Sequence, residues 1–202
     1  MRLSSAALLA TVLVLSACNR QEAKPAAPAP QAAPPPPAAI PVPVPTPEPQ
    51  LSGFSHAPGL NLFGYYLAKA PVQFGNHRLR NVHLGAPEEF DSYEKGQRIS
   101  AAYAPLMLEF DDITSPKREN ELGQPYYEIS RRVLPSAYRV TGQTVSFRGR
   151  DAVLGDVTFE GQFDAKALER VRAGGADEPV LSGVIVAMGQ SVSRSFVWFG
   201  GD

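Results

Sequence analysis

Twelve of the chain's 20 prolines fall between Lys24 and Gln50, and they decide what that stretch cannot become. Proline fixes φ, removes a backbone donor and pushes its predecessor out of the helical region. The segment reads Lys24-Pro-Ala-Ala-Pro-Ala-Pro-Gln31, then four prolines at 34 to 37, then Ile40-Pro-Val-Pro-Val-Pro-Thr-Pro-Glu-Pro-Gln50. Such a run builds neither a helix nor a central strand, and it is expected to extend as polyproline II. At ~3.1 Å per residue it could reach about 80 Å. Its function is read as a semi-rigid spacer, in preference to a ligand for an aromatic groove. The other eight prolines lie beyond residue 51, spaced as turn punctuation.

What precedes the spacer reads as an address. Met1 and Arg2 are followed by an apolar run, Leu3 to Leu15, broken by two serines and a threonine. A helix of that length rises about 20 Å, short of a hydrocarbon core of roughly 30 Å. A secretory segment therefore fits better than a spanning anchor.

The run ends at Leu15-Ser16-Ala17-Cys18. This motif resembles the lipobox of bacterial lipoproteins, in which a branched apolar residue and two small residues precede the cysteine that becomes the new N-terminus. The resemblance implies a signal peptide over 1–17, a diacylglycerol on the Cys18 thiol and an acyl chain such as palmitate on its amine. Several chains at ~0.8 kcal/mol per buried CH₂ make such anchoring effectively permanent. Asn19, rather than aspartate, follows the cysteine; among proteobacterial lipoproteins this points to the outer membrane, with the rest of the chain facing the periplasm. The competing reading is an ordinary cleaved signal beside an unused cysteine. The position of the chain's only cysteine directly after the apolar run favours lipidation.

Charge excludes one class of partner. Nineteen Lys+Arg against 20 Asp+Glu give a net charge of −1, which removes the electrostatic case for nucleic acid. The same balance gives no reason to expect affinity for polyanions or for a membrane surface beyond the lipid.

The expected organisation is thus 1–17 signal peptide, 18–50 lipidated N-terminus and proline-rich tether, and 51–202 globular domain. A domain of that size buries ~70% of its unfolded surface around one core. Its apolar periods are mostly two, which predicts strands. These are Val72–Leu84, Pro105–Ile113, Tyr126–Leu134, Ala137–Val140, a hairpin of Thr144–Gly149 with Leu154–Phe163, and a final pair, Val180–Met188 and Val192–Phe199. The hairpin is expected to place Val145, Phe147, Val157, Phe159 and Phe163 on the inner face. One helix is fully punctuated: Asp164 can cap Ala165–Arg172, and Gly174-Gly175 can end it. A weaker helix is Pro87–Lys95, with proline first and acids in its first turn. The fold class is mainly β (α+β), an antiparallel sheet closed as a sandwich or barrel-like domain with one docked helix.

Candidate chemistry is sparse. His77 and His83, six apart on one strand, are expected on the same face with Cα atoms about 20 Å apart, too far to share a metal. His56 is expected to be mobile at the end of the tether, and all three histidines read as surface residues. No Gly-x-Ser-x-Gly elbow, P-loop or dinucleotide fingerprint is present. Glu109 and Asp111 share a strand face, and the following segment supplies Thr114, Ser115, Glu119, Asn120 and Glu121. Oxygen donors around a loop suit Ca²⁺, but Lys117 and Arg118 interrupt them and a solvated hairpin tip is favoured. The same carboxylates as a glycosidase pair are weighed and set aside. No catalytic set, metal or cofactor is expected.

Aromatic runs remain. Tyr126 and Tyr127 near Arg131 and Arg132 have the composition of a protein-binding hot spot, against the plainer reading of core and ordinary surface. The expected function is a non-enzymatic, membrane-anchored periplasmic domain that binds an envelope macromolecule, as an assembly factor or a hydrolase inhibitor. The alternative is a barrel-like carrier of a lipid or small apolar ligand, with inner-face glycines (Gly149, Gly161, Gly183) making room.

Overall fold

The computed structural model describes residues 51–201. The signal segment, Cys18 and the proline-rich tether lie outside the described residues. In chain order the first elements are β1 (Phe54–His56), β2 (Gly64–Ala68), β3 (Gln73–Phe74), β4 (His77–Leu84), α1 (Pro87–Glu94), β5 (Leu106–Asp112), β6 (Lys117–Glu119) and β7 (Pro125–Tyr127). They are followed by β8 (Ser130–Val133), β9 (Pro135–Val140), β10 (Thr144–Asp151), β11 (Gly155–Phe163), α2 (Ala165–Arg172), β12 (Leu181–Ala187) and β13 (Gln190–Phe199). Among the described residues no helix is long and apolar enough to cross a membrane.

Period-two alternation builds the sheet. In β10 and β11, Val145 faces Gly161, Phe147 faces Phe159 and Gly149 faces Val157, and all of these are buried. The turn between them is set by Asp151, whose carboxylate accepts the N–H groups of Val153 (2.8 Å) and Leu154 (2.9 Å). The full strand order is β1-β9-β10-β11-β12-β13-β2-β4-β5-β8, with β3 beside β4. Every pairing in it is antiparallel except β1 with β9.

The mainly β, antiparallel fold class expected from the sequence is what forms: a large sheet curled into a half-barrel, with two helices. The curl is enforced by the chain itself. Strands β8 and β9 are consecutive, yet β8 pairs with β5 and β9 with β10, so the bend at Leu134-Pro135 carries the chain from one end of the sheet order towards the other. Gly149 lies against that bend. A Cβ there would sit 2.8 Å from Phe147 Cζ and 2.9 Å from Val133 Cγ1, and the β9–β10 register shifts between Arg148 and Gly149.

The concave side holds the core, in which Tyr66, Phe74, Phe110, Phe147, Phe159 and Phe196 are fully buried. Both helices dock on it. Helix α2 is capped as expected, with Ala167 N–H donating to Asp164 Oδ1 at 2.9 Å, and it buries Ala167, Leu168 and Val171. Helix α1, the weaker of the two in sequence, buries Phe90 and Tyr93. Its Glu89 reaches back to accept the Ala86 N–H at 2.7 Å.

Two histidine expectations are corrected. His56 is not a mobile tether residue. It stacks on Phe90 (5.1 Å, 23°) with its side chain 4% exposed, and it lies 3.0 Å from Glu94 and 3.5 Å from Asp91. His77 and His83 do not share a face. The register of β4 on β5 shifts between Leu79 and Asn81, so one extra residue, Arg80, inverts the alternation. None of the three is a surface histidine, since His77 and His83 are buried as well.

Candidate functional site

The bulge at Arg80 also builds the most heavily engaged polar cluster on the sheet's outer surface. Arg80 lies between two outward-facing carboxylates of β5, bonding Asp111 and lying 3.5 Å from Glu109. Glu109 is held further by Asn81 Nδ2 (3.2 Å) and, from β8, by Arg132 Nε (3.3 Å). Both acids are below 10% exposed. A carboxylate so withdrawn from water is tolerable only when paired and hydrogen-bonded.

Next to this cluster His83 sits among rings. Tyr65 is 5.0 Å away, Tyr103 5.8 Å and Phe63 6.5 Å. Its Nε2 meets the Tyr103 hydroxyl at 3.3 Å, and that hydroxyl donates to Glu89 at 2.7 Å. Burial holds the His83 imidazole below its ordinary 6.5, against the opposing pull of Glu89 and Glu109. Burial, and then the bond to Glu89, push the Tyr103 phenol up. Tyr103 is therefore a fixed donor rather than a base.

The aromatic end of this face is pinned by a second set of contacts. Trp198 Nε1 donates to the Phe63 carbonyl at 2.8 Å, and Arg172 donates to the Asn61 and Phe63 carbonyls at 2.7 Å each. Gly64 between them has φ +140°, and a Cβ there would overlap the Trp198 indole. Phe63 and, on β13, Phe199 are left 38% and 43% exposed.

At the other end the β6–β7 hairpin lies over the sheet. Its loop is tied by Asn120 Oδ1, which accepts the N–H groups of Leu122 (3.0 Å) and Gln124 (2.8 Å). Arg78, Arg80 and Asp111 on the strands, with Asn120, Gln124 and Tyr126 on the hairpin, help line a cleft of about 320 Å³.

The four residues singled out in the sequence divide between two sides of β8. Tyr126 is exposed on the hairpin, and Tyr127 lies against Arg78. Arg132 joins Glu109 on the outer face. Arg131 turns the other way and pairs with Asp151 at 3.7 Å. Sequence reasoning missed Arg78, Arg80 and Asn81. The signal was Arg78 and Arg80 two apart, facing Glu109 and Asp111 two apart, legible only once β4 is paired with β5.

The acidic segment considered for calcium is otherwise engaged. Asp112 accepts from the Thr114 N–H (2.9 Å) and hydroxyl (2.6 Å), and Asn120 closes the hairpin. Among the described residues no three His, Cys, Asp or Glu side chains gather closely enough to hold a metal ion.

The inner glycines have close neighbours. Gly161 and Gly183 face each other on β11 and β12; a Cβ at Gly161 would lie 2.9 Å from Phe159 Cζ, and one at Gly183 would overlap that same ring. The Phe159 ring fills the space beside this pair.

No protein-family model matches the chain, and comparisons with curated proteins and with solved structures find no significant match.

Proposed function

We propose that this is a non-enzymatic binding domain of the bacterial envelope. It is anchored to the outer membrane through lipid on Cys18, spaced from it by the proline-rich tether, and turned towards the periplasm. It engages an envelope macromolecule, as an assembly factor or an inhibitor of a cell-wall hydrolase would. The contact surface is the outer face running from Phe199 and Tyr65 across Glu109 and Arg132 to the β6–β7 hairpin.

One observation carries this reading: exposed aromatics flank arginines that are already fixed by buried carboxylates. Aromatic and arginine side chains dominate binding hot spots, and groups held in place before contact lose less entropy on binding. The carboxylates themselves are occupied by Arg80, Arg132 and Asn81, an arrangement suited to holding arginines rather than to moving protons.

Photo-crosslinkers placed in living cells at Tyr126, Phe199 and, on the polar face, Ser193 test the assignment. Protein adducts are expected from the first two positions and not from Ser193. Adducts from none of them, or equally from all three, would sink it. The anchor is tested separately by labelled palmitate, whose incorporation is expected to vanish in Cys18→Ser. An intact mass showing Met1 retained and a free thiol would remove it.

A further inference from the structure

The cations around the hairpin fall into two groups. Arg80 lies on Glu109 and Asp111, Arg132 on Glu109, and Arg118 on Glu128 at 3.2 Å. Arg78 and Lys117 have no acidic partner within 4 Å among the described residues. Instead both converge on the Tyr127 ring, the Arg78 guanidinium at 5.3 Å from its centroid and the Lys117 ammonium at 5.4 Å. With Pro125 and Tyr126 they line a cleft of about 130 Å³.

Two cations drawn to one ring repel each other. The negative face of the tyrosine offsets part of that repulsion, and the nearest acid across the strands, Asp111 opposite Arg78, is already bonded to Arg80. Side chains that only donate, gathered over an aromatic surface, are complementary to an anion with several acceptor lone pairs. The surroundings select the kind of anion. Leu122, Tyr126 and Ile129 are 77%, 43% and 48% exposed, an apolar rim suited to side chains on either side of an acid. Glu119, Glu121 and Glu128 on the same hairpin would repel an extended anionic surface such as a bilayer.

We propose that the partner is a polypeptide that inserts an aspartate or glutamate carboxylate between Arg78 and Lys117, against Tyr127, with apolar neighbours on the hairpin rim. This rests on the binding face assigned above and names the chemistry of its partner.

The test uses the full-length chain and a short synthetic peptide carrying one Glu between leucines, with its Gln counterpart as control. The acidic peptide is expected to shift the amide resonances of Arg78, Lys117 and Tyr127 saturably, and the control is not. Arg78→Gln with Lys117→Gln should weaken binding about tenfold, whereas Arg78→Lys with Lys117→Arg should retain most of it. Lys117→Gln alone, at an exposed position, serves if the double variant fails to fold.

Equal shifts with the Gln peptide, or none with either, would overturn the proposal. So would shifts from inorganic phosphate or phosphatidylglycerol vesicles without any from the acidic peptide. Should crosslinks form at Tyr126 or Phe199 while the peptide has no effect, the carboxylate assignment falls and the binding face stands. Should the crosslinks also be missing, both fall.

Discussion

Glu109 and Glu160 both point outward from the middle of long strands, and only one of them meets water. Glu160, on β11, is exposed and accepts a hydrogen bond from Ser146 across the β10–β11 pair. Glu109, on β5, is 8% exposed and carries Arg80, Arg132 and Asn81. Around Glu160 the outer surface is a shallow depression floored by the Gly161 and Gly183 backbones and edged by serines and Gln162. Near Glu109, Tyr103 lies against His83 and the β6–β7 hairpin lies over Arg80 and Asp111. An outward side chain is thus not the same as a solvated one. The covered face has charges held by ion pairs at low exposure, and the open face has an exposed carboxylate held by one hydroxyl. That difference locates the binding surface proposed here, and four experiments probe it.

The largest effect is expected beneath the open face, not on it. Gly183→Ala would drive a methyl group into the Phe159 ring and to 2.6 Å from the Glu160 carbonyl oxygen. Overpacking of this kind costs about 3 kcal/mol, readable as a lowered urea midpoint. A loss under ~1 kcal/mol would mean that β11 and β12 can part to admit a side chain, and would favour the carrier reading.

Glu109→Ala is next. It strips both arginines and Asn81 of their shared acceptor. Loss of a buried ion-pair partner costs ~3–5 kcal/mol when the survivor stays buried. Arg80 and Arg132 are 34% and 50% exposed, so water recovers part of that, and about 2 kcal/mol is expected in the same urea titration. No loss would show that the covered face is as solvated as the open one.

Acid should weaken the covered face first. Native His83 stays neutral below 6.5, where the unfolded chain's imidazole takes up a proton. The unfolded state therefore binds more protons in that window, and stability falls as pH drops through about 6.5 towards the depressed native value. His83→Gln should reduce the fall in urea midpoint between about pH 7.5 and pH 5.5. An identical fall in the variant would assign the acid sensitivity to groups other than His83.

Much of the framework was readable in advance where one short-range rule acted alone. The β10–β11 hairpin, α2 with its Asp164 cap, and the β12–β13 pair follow from alternation and turn residues, and they form as expected. Strands β1, β2 and β6 did not stand out, being short or rich in aromatics without a clean alternation. The site was half legible. Glu109 and Asp111 could be placed on one face, because a strand of uniform pleat keeps that parity. Arg80 could not be placed between them, because a bulge is a property of two paired strands and β4 alone does not show it. The same extra residue separated His77 from His83, and His56 was misread because its partners lie on α1, about 35 to 38 residues along the chain.

The smallest expected effect is the control that gives the others meaning. Glu160→Ala removes one exposed hydrogen bond, from Ser146, and leaves no buried group without a partner. Surface substitutions of this kind stay within about 0.5 kcal/mol, because water replaces the lost acceptor at once. The urea midpoint should hardly move, and acidic-peptide binding at the hairpin should not change. If Glu160→Ala instead costs as much as Glu109→Ala, the hydrogen bond across β10 and β11 is worth more than its exposure allows. Burial of charge would then no longer distinguish the two faces. If the variant is neutral and Glu109→Ala is not, the same side chain on the same sheet has two different energetic roles. The bulge at Arg80 and the cover above it are then what separate them.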